Sequence, residues 1–361
     1  MKILCFIDDL GSGGAQRQLV NLGLGFKSRG HEVSFLVYHQ ADFFKKELIV
    51  ANISVYEILE PSYIKRILKI RKFIRKGRYD TVIAFLQGPS FLATLASPPN
   101  KKWKLIVGER SADPKILRSP KSQFYRWFHI FADYVVSNST ANINMVKKIN
   151  PFLSDHRCKV IYNAVTKIEK QNSKALSNPI KIIIGASHRN LKNAMGMLKA
   201  FNNLSAVEKN GFSIHWYGDR LDLPHFDSSY LEAKNYVEAK KLENYVNFHP
   251  STTSFSNIMA ESDLVGLFSF FEGSPNVICE AMALGKPVLC SKVADLPHML
   301  QDFPEQMFDP SDVDEIVKAF RFYLNLSQDQ YDQIANSNFE IAKRWFSSET
   351  SVNEYLKLME E

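Results

Sequence analysis

The sequence has no paired cysteines. Its four, Cys5, Cys158, Cys279 and Cys290, are scattered, and no Cys-x-x-Cys occurs. That spacing excludes a zinc knuckle and a dithiol redox motif. Cys279 and Cys290 lie in apolar runs, where a reduced thiol behaves as a small hydrophobe. The chain also lacks any run of roughly 18 apolar residues, the length a membrane-spanning helix needs. Its first apolar run, residues 2–7, is too short for a secretion signal and stops at Asp8 and Asp9. The cytoplasm is the expected location, so Asn138-Ser-Thr, Asn203-Leu-Ser and Asn325-Leu-Ser read as chance matches to the glycosylation pattern. No nucleic-acid module motif, low-complexity segment or short repeat is present, and nucleic acid is not expected as a partner.

What the chain does have is alternation. In its first half, strands are expected at 2–7, 32–38, 80–86, 104–108, 133–137 and 159–161. Helical patterns fall between them at 15–28, 62–76, 90–96, 122–131 and 140–150. Residues 166–178 turn polar and read as a linker. The alternation then restarts, with strands at 180–186, 213–217, 245–248, 263–268 and 287–290. Its helices are expected at 194–204, 230–242, 256–262, 275–284 and 313–326. Such a pattern predicts α/β architecture: two doubly wound Rossmann-like domains, each with a parallel sheet covered on both faces. A length of 361 residues suits two domains. Ligands of such sheets bind beyond the carboxyl ends of the strands, and a cleft between two domains is the expected site.

The most informative segment is residues 270–288, FFEGSPNVICEAMALGKPV. Glu272-Gly273 forms the turn after a buried strand. Ser274 is a good N-cap, Pro275 suits the first helical position, and Gly285 stops the helix. The backbone N–H groups of Asn276 and Val277 would then stand at a helix N-terminus, which suits a diphosphate. Glu280 follows one turn later on the same face, among apolar neighbours, and a buried carboxylate needs partners. The two hydroxyls of a ribose would supply them. Gly13 and Gly14, after the first strand, allow a second close backbone approach to phosphate. A nicotinamide enzyme would place an acid at the end of the second strand, but that strand ends Val37-Tyr38-His39-Gln40, and Asp42 comes late.

The Glu272-x7-Glu280 spacing and its context resemble retaining glycosyltransferases of the GT-B fold, in particular glycosyltransferase family 4 (glycosyl transferases group 1). The resemblance implies that Glu272 contacts the donor sugar and Glu280 the nucleotide ribose, with Gly273, Ser274, Asn276 and Val277 on the diphosphate. The loop at Gly13 and Gly14 resembles the family's N-terminal glycine loop, with Gln16 where an acid is usual. Lys192, and Arg189 in place of the family's arginine, would neutralise the diphosphate; the alternative for Arg189 and His188 is a solvent-exposed basic loop. Residues 160–165 resemble the interdomain segment. Gly108-Glu109-Arg110-Ser111 resembles an acceptor-domain segment, which puts Glu109 and Arg110 near the acceptor or donor sugar; the two read equally as a structural ion pair. The family's histidine in that region has no counterpart here. The fold sends the last helix, at 347–358, back onto the first domain. The expected domains are therefore 1–168 with about 346–361, and 169–345.

The implied reaction is metal-independent and uses no cofactor: a sugar moves from a UDP- or GDP-sugar to a hydroxyl of a glycan or lipid-linked acceptor, with retention. Bacterial surface-polysaccharide synthesis fits by resemblance. Asp312-x-Asp314 spells a metal-binding signature but opens a helix, where acids favour the dipole. A nucleotide-sugar epimerase of the same fold and a non-catalytic partner subunit remain alternatives. The net charge is +7, and residues 63–79 hold eight Lys and Arg and no acid, with apolar residues interleaved. This amphipathic helix could lie on an anionic membrane, on the cytoplasmic face of the inner membrane, or simply cover its domain.

Overall fold

The computed structural model describes residues 1–111, 113–165, 168–170, 175–218 and 228–361. The chain divides into two compact units, Met1–Thr166 with Ser347–Glu361, and Lys167–Phe346.

The first unit is built on β1 (Lys2–Phe6), β2 (Glu32–Val37), β3 (Ser54–Glu57), β4 (Thr81–Phe85), β5 (Lys104–Glu109), β6 (Tyr134–Ser137) and β7 (Cys158–Val160). They form one sheet in the order β3-β2-β1-β4-β5-β6-β7, with parallel pairing throughout. The helices are α1 (Gly14–Ser28), α2 (Lys45–Val50), α3 (Tyr63–Lys76), α4 (Gln87–Ala96), α5 (Pro120–Trp127) and α6 (Thr140–Ile149). The pleat sends alternate residues of β1 to opposite faces. Ile3 and Cys5 join Leu19 and Phe26 of α1 in one core, and Leu4 and Phe6 join Ile70 of α3 and Leu92 of α4 in the other. Both faces are covered, so the strands are apolar runs rather than alternating ones.

The second unit repeats the plan. Its strands are β8 (Ile180–Gly185), β9 (Phe212–Tyr217), β10 (Val246–His249), β11 (Leu264–Leu267), β12 (Val288–Ser291) and β13 (Met307–Phe308). Their order is β10-β9-β8-β11-β12-β13, again parallel. The helices are α7 (Ala194–Asn202), α8 (Ala206–Asn210), α9 (Ser229–Ala239), α10 (Phe255–Ala260), α11 (Asn276–Ala283), α12 (Leu296–Met299), α13 (Val313–Leu324) and α14 (Gln328–Trp345). Gly285, past the end of α11, takes φ +71°, the left-handed stop expected of a glycine there.

A final helix, α15 (Ser348–Glu360), packs in the first unit. Ser347 caps it, accepting from the Thr350 N–H at 2.9 Å. Tyr355 is 1% exposed, with its ring edge-on to Phe26 and tilted against Phe85. Its Oη accepts from Arg110 Nη2 at 2.7 Å. The helix therefore completes the first unit's core.

Several elements were not expected. The patterns for α2, β3 and β13 are short, and α14 is polar enough to hide its periodicity. The expected helix at 122–131 is α5 followed by a separate 3₁₀ turn, Phe128–Phe131. Of the expected linker, residues 166, 167 and 171–174 lie outside the described residues. Its described part is tied to the second unit: Glu169 N–H donates to Ala283 O, and Leu176 N–H to Gln328 Oε1.

Truncating a buried aromatic ring costs about 3–5 kcal/mol. Tyr355→Ala should remove that much from the first unit's unfolding free energy in urea while sparing the second unit's transition. An unchanged first transition would show that α15 contributes nothing to that core.

Candidate functional site

In the second unit, the carboxyl ends of β8, β9 and β11 surround a cavity of about 420 Å³. This is where open parallel sheets place their ligands. Its lining includes Gly185–Ser187, Tyr217, Gly218, Ser251, Thr252 and Phe255. Lys192, Leu267, Glu272, Ser274–Val277 and Glu280 complete it. Gly218 permits a close backbone approach, because a Cβ there would stand 1.9 Å from Ala186 O.

Two loops bring the charged groups together. After β8, the chain makes a 3₁₀ turn, Asn190–Lys192, and Asn193 takes φ 56°. The Asn193 side chain caps α7 by accepting from Gly196 N–H at 3.0 Å, and its amide donates to Pro310 O. After β11, Phe270 N–H donates to Leu191 O at 2.9 Å, which stitches the second loop to the first. Lys192 thereby reaches Glu272, with Nζ 2.6 Å from Oε1. Ser269, fully buried, donates to the same oxygen at 2.7 Å. Lys192 donates one N–H to Glu272, and its other two have no acceptor among the described residues.

The start of α11 differs from the expectation. Pro275, not Ser274, is the N-cap, and no side chain caps the helix. Ile278 and Cys279 N–H both donate to Pro275 O. Asn276 N–H donates to Ser274 O at 2.9 Å and is not free. Val277 N–H has no acceptor among the described residues. The helix tip therefore offers one backbone donor where two were expected. Glu280 stands one turn further on and lines the same cavity, but it is exposed rather than buried. Its apolar sequence neighbours, Ile278, Cys279 and Ala281, face the core instead. Burial raises the Cys279 and Cys290 thiols, so both remain neutral packing groups.

Other candidates sit elsewhere. Arg189 is exposed and does not line the cavity. His188, next to it, is not part of an exposed basic loop. It is 4% exposed and packs against Trp216, Tyr230 and Phe248. Gly273 lies in the turn before α11 but is not in the lining. Gly13 and Gly14 belong to the first unit, where Gly13 caps α1 and Gly14 begins it. Their loop is anchored to acids: Gly11 N–H donates to Asp9 Oδ1, and Gln16 Nε2 reaches both Asp8 and Asp9. Asp312 accepts from the N–H groups of Asp314 and Glu315 and is the N-cap of α13.

Glu109 and Arg110 are structural. Glu109 is 4% exposed; one oxygen contacts Arg126 Nη2 at 2.7 Å and the other His129 Nε2 at 2.7 Å. Burial pushes its carboxyl up, but the His129 hydrogen bond and the Arg126 charge outweigh that and hold it below its usual value. Arg110 donates to Asn163 Oδ1 and Tyr355 Oη and lies over the Phe85 ring. The Glu109 pair is thus with Arg126 and His129, not with its neighbour. The three-residue spacing of Arg126 and His129 is the sequence signal that could have found it.

Removing one member of a buried ion pair costs about 3–5 kcal/mol. Glu109→Gln should therefore destabilise the first unit by that much at pH 7. A depressed carboxyl stabilises above its unfolded value and loses that contribution as pH falls through its folded one. The gap between native and variant in urea midpoint should accordingly close below about pH 4. A gap that persists at low pH would contradict the ion-pair account.

Against known proteins, the family model described as Glycosyltransferase Family 4 matches residues 12–167. The model described as Glycosyl transferases group 1 matches residues 178–325. Together they span most of the chain. A curated relative from Campylobacter jejuni is GalNAc-alpha-(1->4)-GalNAc-alpha-(1->3)-diNAcBac-PP-undecaprenol alpha-1,4-N-acetyl-D-galactosaminyltransferase. It is 24% identical over 100% of this chain and 99% of its own. A second Campylobacter jejuni relative, N-acetylgalactosamine-N,N'-diacetylbacillosaminyl-diphospho-undecaprenol 4-alpha-N-acetylgalactosaminyltransferase, is 26% identical over 80% of each chain. Among solved structures, Anabaena HepE in complex with UDP and glucose superposes with a TM-score of 0.81 at 20% identity, covering 99% of both chains. The arrangement of two parallel sheets with a returning final helix is the GT-B fold.

Proposed function

Because the chain belongs to the family 4 (group 1) glycosyltransferases, we propose that it moves a sugar, with retention and without a metal ion, from a UDP- or GDP-sugar to a hydroxyl of a lipid-diphosphate-linked glycan. The observation that carries this reading is the second-unit cavity, where Lys192, Glu272, Glu280 and the tip of α11 meet. The printed names of the two Campylobacter relatives, both acting on undecaprenol-linked glycans, support the acceptor class. The UDP bound to HepE supports UDP as the first donor to test.

The diphosphate would lie between Lys192 and Val277 N–H, the ribose hydroxyls at Glu280 and the sugar hydroxyls at Glu272. The bond from C1 to the phosphate oxygen breaks while the acceptor oxygen bonds C1 on the same face. The acceptor's proton passes to the departing phosphate oxygen. Charge grows on the diphosphate in that step, and Lys192 and the helix tip stabilise it. With Asp312 committed to capping α13, no metal is invoked to share that charge.

An exposed face of α3 supports attachment to a membrane surface. Ile64 and Leu68 are 71% and 60% exposed, among Lys65, Lys69 and Lys72. No helix among the described residues is long and apolar enough to cross a membrane. Such a face binds anionic headgroups through its cations and buries its apolar tips among the lipids.

Lys192→Ala should lower kcat by roughly 10²–10³-fold with UDP-sugar donors, and normal turnover would remove Lys192 from the charge-stabilising role. Glu280→Ala should weaken UDP binding in calorimetry by about 10–100-fold. Native binding by that variant would discard the ribose assignment. Ile64→Asp with Leu68→Asp should abolish co-sedimentation with phosphatidylglycerol vesicles; undiminished sedimentation would place the membrane contact elsewhere.

A further inference from the structure

One face of β9 carries a ladder of rings that the reaction above leaves without a role. Alternate residues of a strand face opposite ways. Phe212, Ile214 and Trp216 enter the second unit's core, while Ser213, His215 and Tyr217 share the other face and are half-buried. His249, on the neighbouring β10, joins them. Ser213 Oγ lies 2.9 Å from His215 Nε2, and His215 Nδ1 lies 3.0 Å from His249 Nε2. The two imidazoles overlap with centroids 5.2 Å apart. The His249 ring stacks on Tyr217 at 4.5 Å and 18°, and Tyr217 meets Phe255 in a T-shaped contact at 5.7 Å.

Both imidazoles are neutral at pH 7. Burial lowers each below the usual histidine value, and His249 and Lys181 of β8 lower His215 further. A neutral pair has one N–H between its facing nitrogens, so one ring donates and the other accepts. That bond fixes the tilt of His249, which in turn covers one face of Tyr217. The Tyr217 backbone is held separately. Its carbonyl accepts from Ala186 N–H at 3.0 Å, and the next N–H, of Gly218, donates to His249 O at 3.1 Å. Only the ring is left to set, and His249 and Phe255 set it.

The ladder ends at the second-unit cavity. Tyr217, Gly218 and Phe255 line it, as do Ser251 and Thr252 just after His249. Phe255 sits against β8 because Gly185 has no Cβ; one there would stand 2.4 Å from the phenylalanine ring. The strands run in the order β10-β9-β8-β11. Glu272, Val277 and Glu280 follow β11, and Lys192 follows β8. A nucleotide gripped there by its diphosphate has the β9–β10 end left for its base. Two aromatic rings beside two hydroxyls suit a flat heterocycle with polar edges.

We propose that His249, braced by His215, is a positioning residue that sets the Tyr217 ring as the platform for the nucleotide's base. Neither histidine lines the cavity, so both act through Tyr217. The proposal rests on the nucleotide-sugar reading above, and a ligand-free measurement separates the two.

Calorimetry on the full chain would use UDP and inorganic diphosphate, which has no base. His249→Ala should weaken UDP binding by about 3–10-fold, the range of one aromatic stacking contact, and leave diphosphate binding unchanged. His249→Phe keeps a flat ring and should restore UDP affinity. His249→Gln keeps a hydrogen-bonding group for His215 but no ring, and should not. Tyr217→Ala should cost at least as much as His249→Ala, and the double variant no more than Tyr217→Ala, because one residue acts through the other. Native UDP affinity in His249→Ala, equal losses for UDP and diphosphate, or additive losses in the double variant overturn the inference.

Aromatic NMR spectra of the ligand-free chain read the ring itself. Stacking should shift the Tyr217 ring protons upfield, and that shift should vanish in His249→Ala and persist in His249→Phe. Tyr217 signals that are the same in the native chain and His249→Ala also overturn the inference. A native chain with the shifted ring but no UDP binding overturns the nucleotide-sugar reading instead, and the base assignment with it.

Discussion

A single lysine decides how the second-unit cavity can be filled. Lys192 is the cation in a lining that also holds two carboxylates, Glu272 and Glu280. A diphosphate set beside Lys192 is attracted, and one set beside the exposed Glu280 is repelled. The proposed nucleotide-sugar ligand therefore has one favourable polarity, with phosphates toward Lys192 and Val277 N–H and hydroxyls toward the acids. The Phe270–Leu191 hydrogen bond makes this possible, because it fixes the loop carrying Lys192 against the loop carrying Glu272.

The rest of each unit serves that placement. Both sheets bury both faces, so their side chains are committed to packing and chemistry is left to the loops at the carboxyl ends. In the first unit even charged residues are turned to structure. Glu109 holds Arg126 and His129 inside, and Arg110 ties the strand end to Tyr355 of the returning helix.

Much of this was legible in the residues. The apolar runs of β1, β2, β4 and β5, bounded by turn signals, placed the first sheet, and the segment around Glu272 and Glu280 placed the cavity. Local capping chemistry was harder to read. Pro275 displaced Ser274 as N-cap because its carbonyl, not the serine hydroxyl, meets the first free N–H groups. Glu280 came out exposed because three neighbours on α11 share the buried face and leave it the open one. Helix α14 was missed because its inner face is built from Tyr331, Ile334, Ala335, Asn338 and Ala342, a weakly apolar set. Its capping box at Ser327 and Gln330 was the available signal. Of the Glu109 triad only the three-residue spacing of Arg126 and His129 was a local signal; the pairing of both with Glu109, distant in sequence, was not legible.

The central claim is that the tip of α11 and Lys192 receive a nucleotide's diphosphate. The most direct measurement follows backbone amides in a ¹⁵N-labelled chain as UDP is added. The account predicts that the Val277 and Gly185 amides shift along one saturating curve and that uridine alone leaves Val277 in place. A Val277 amide that stays still while UDP binds elsewhere would contradict it.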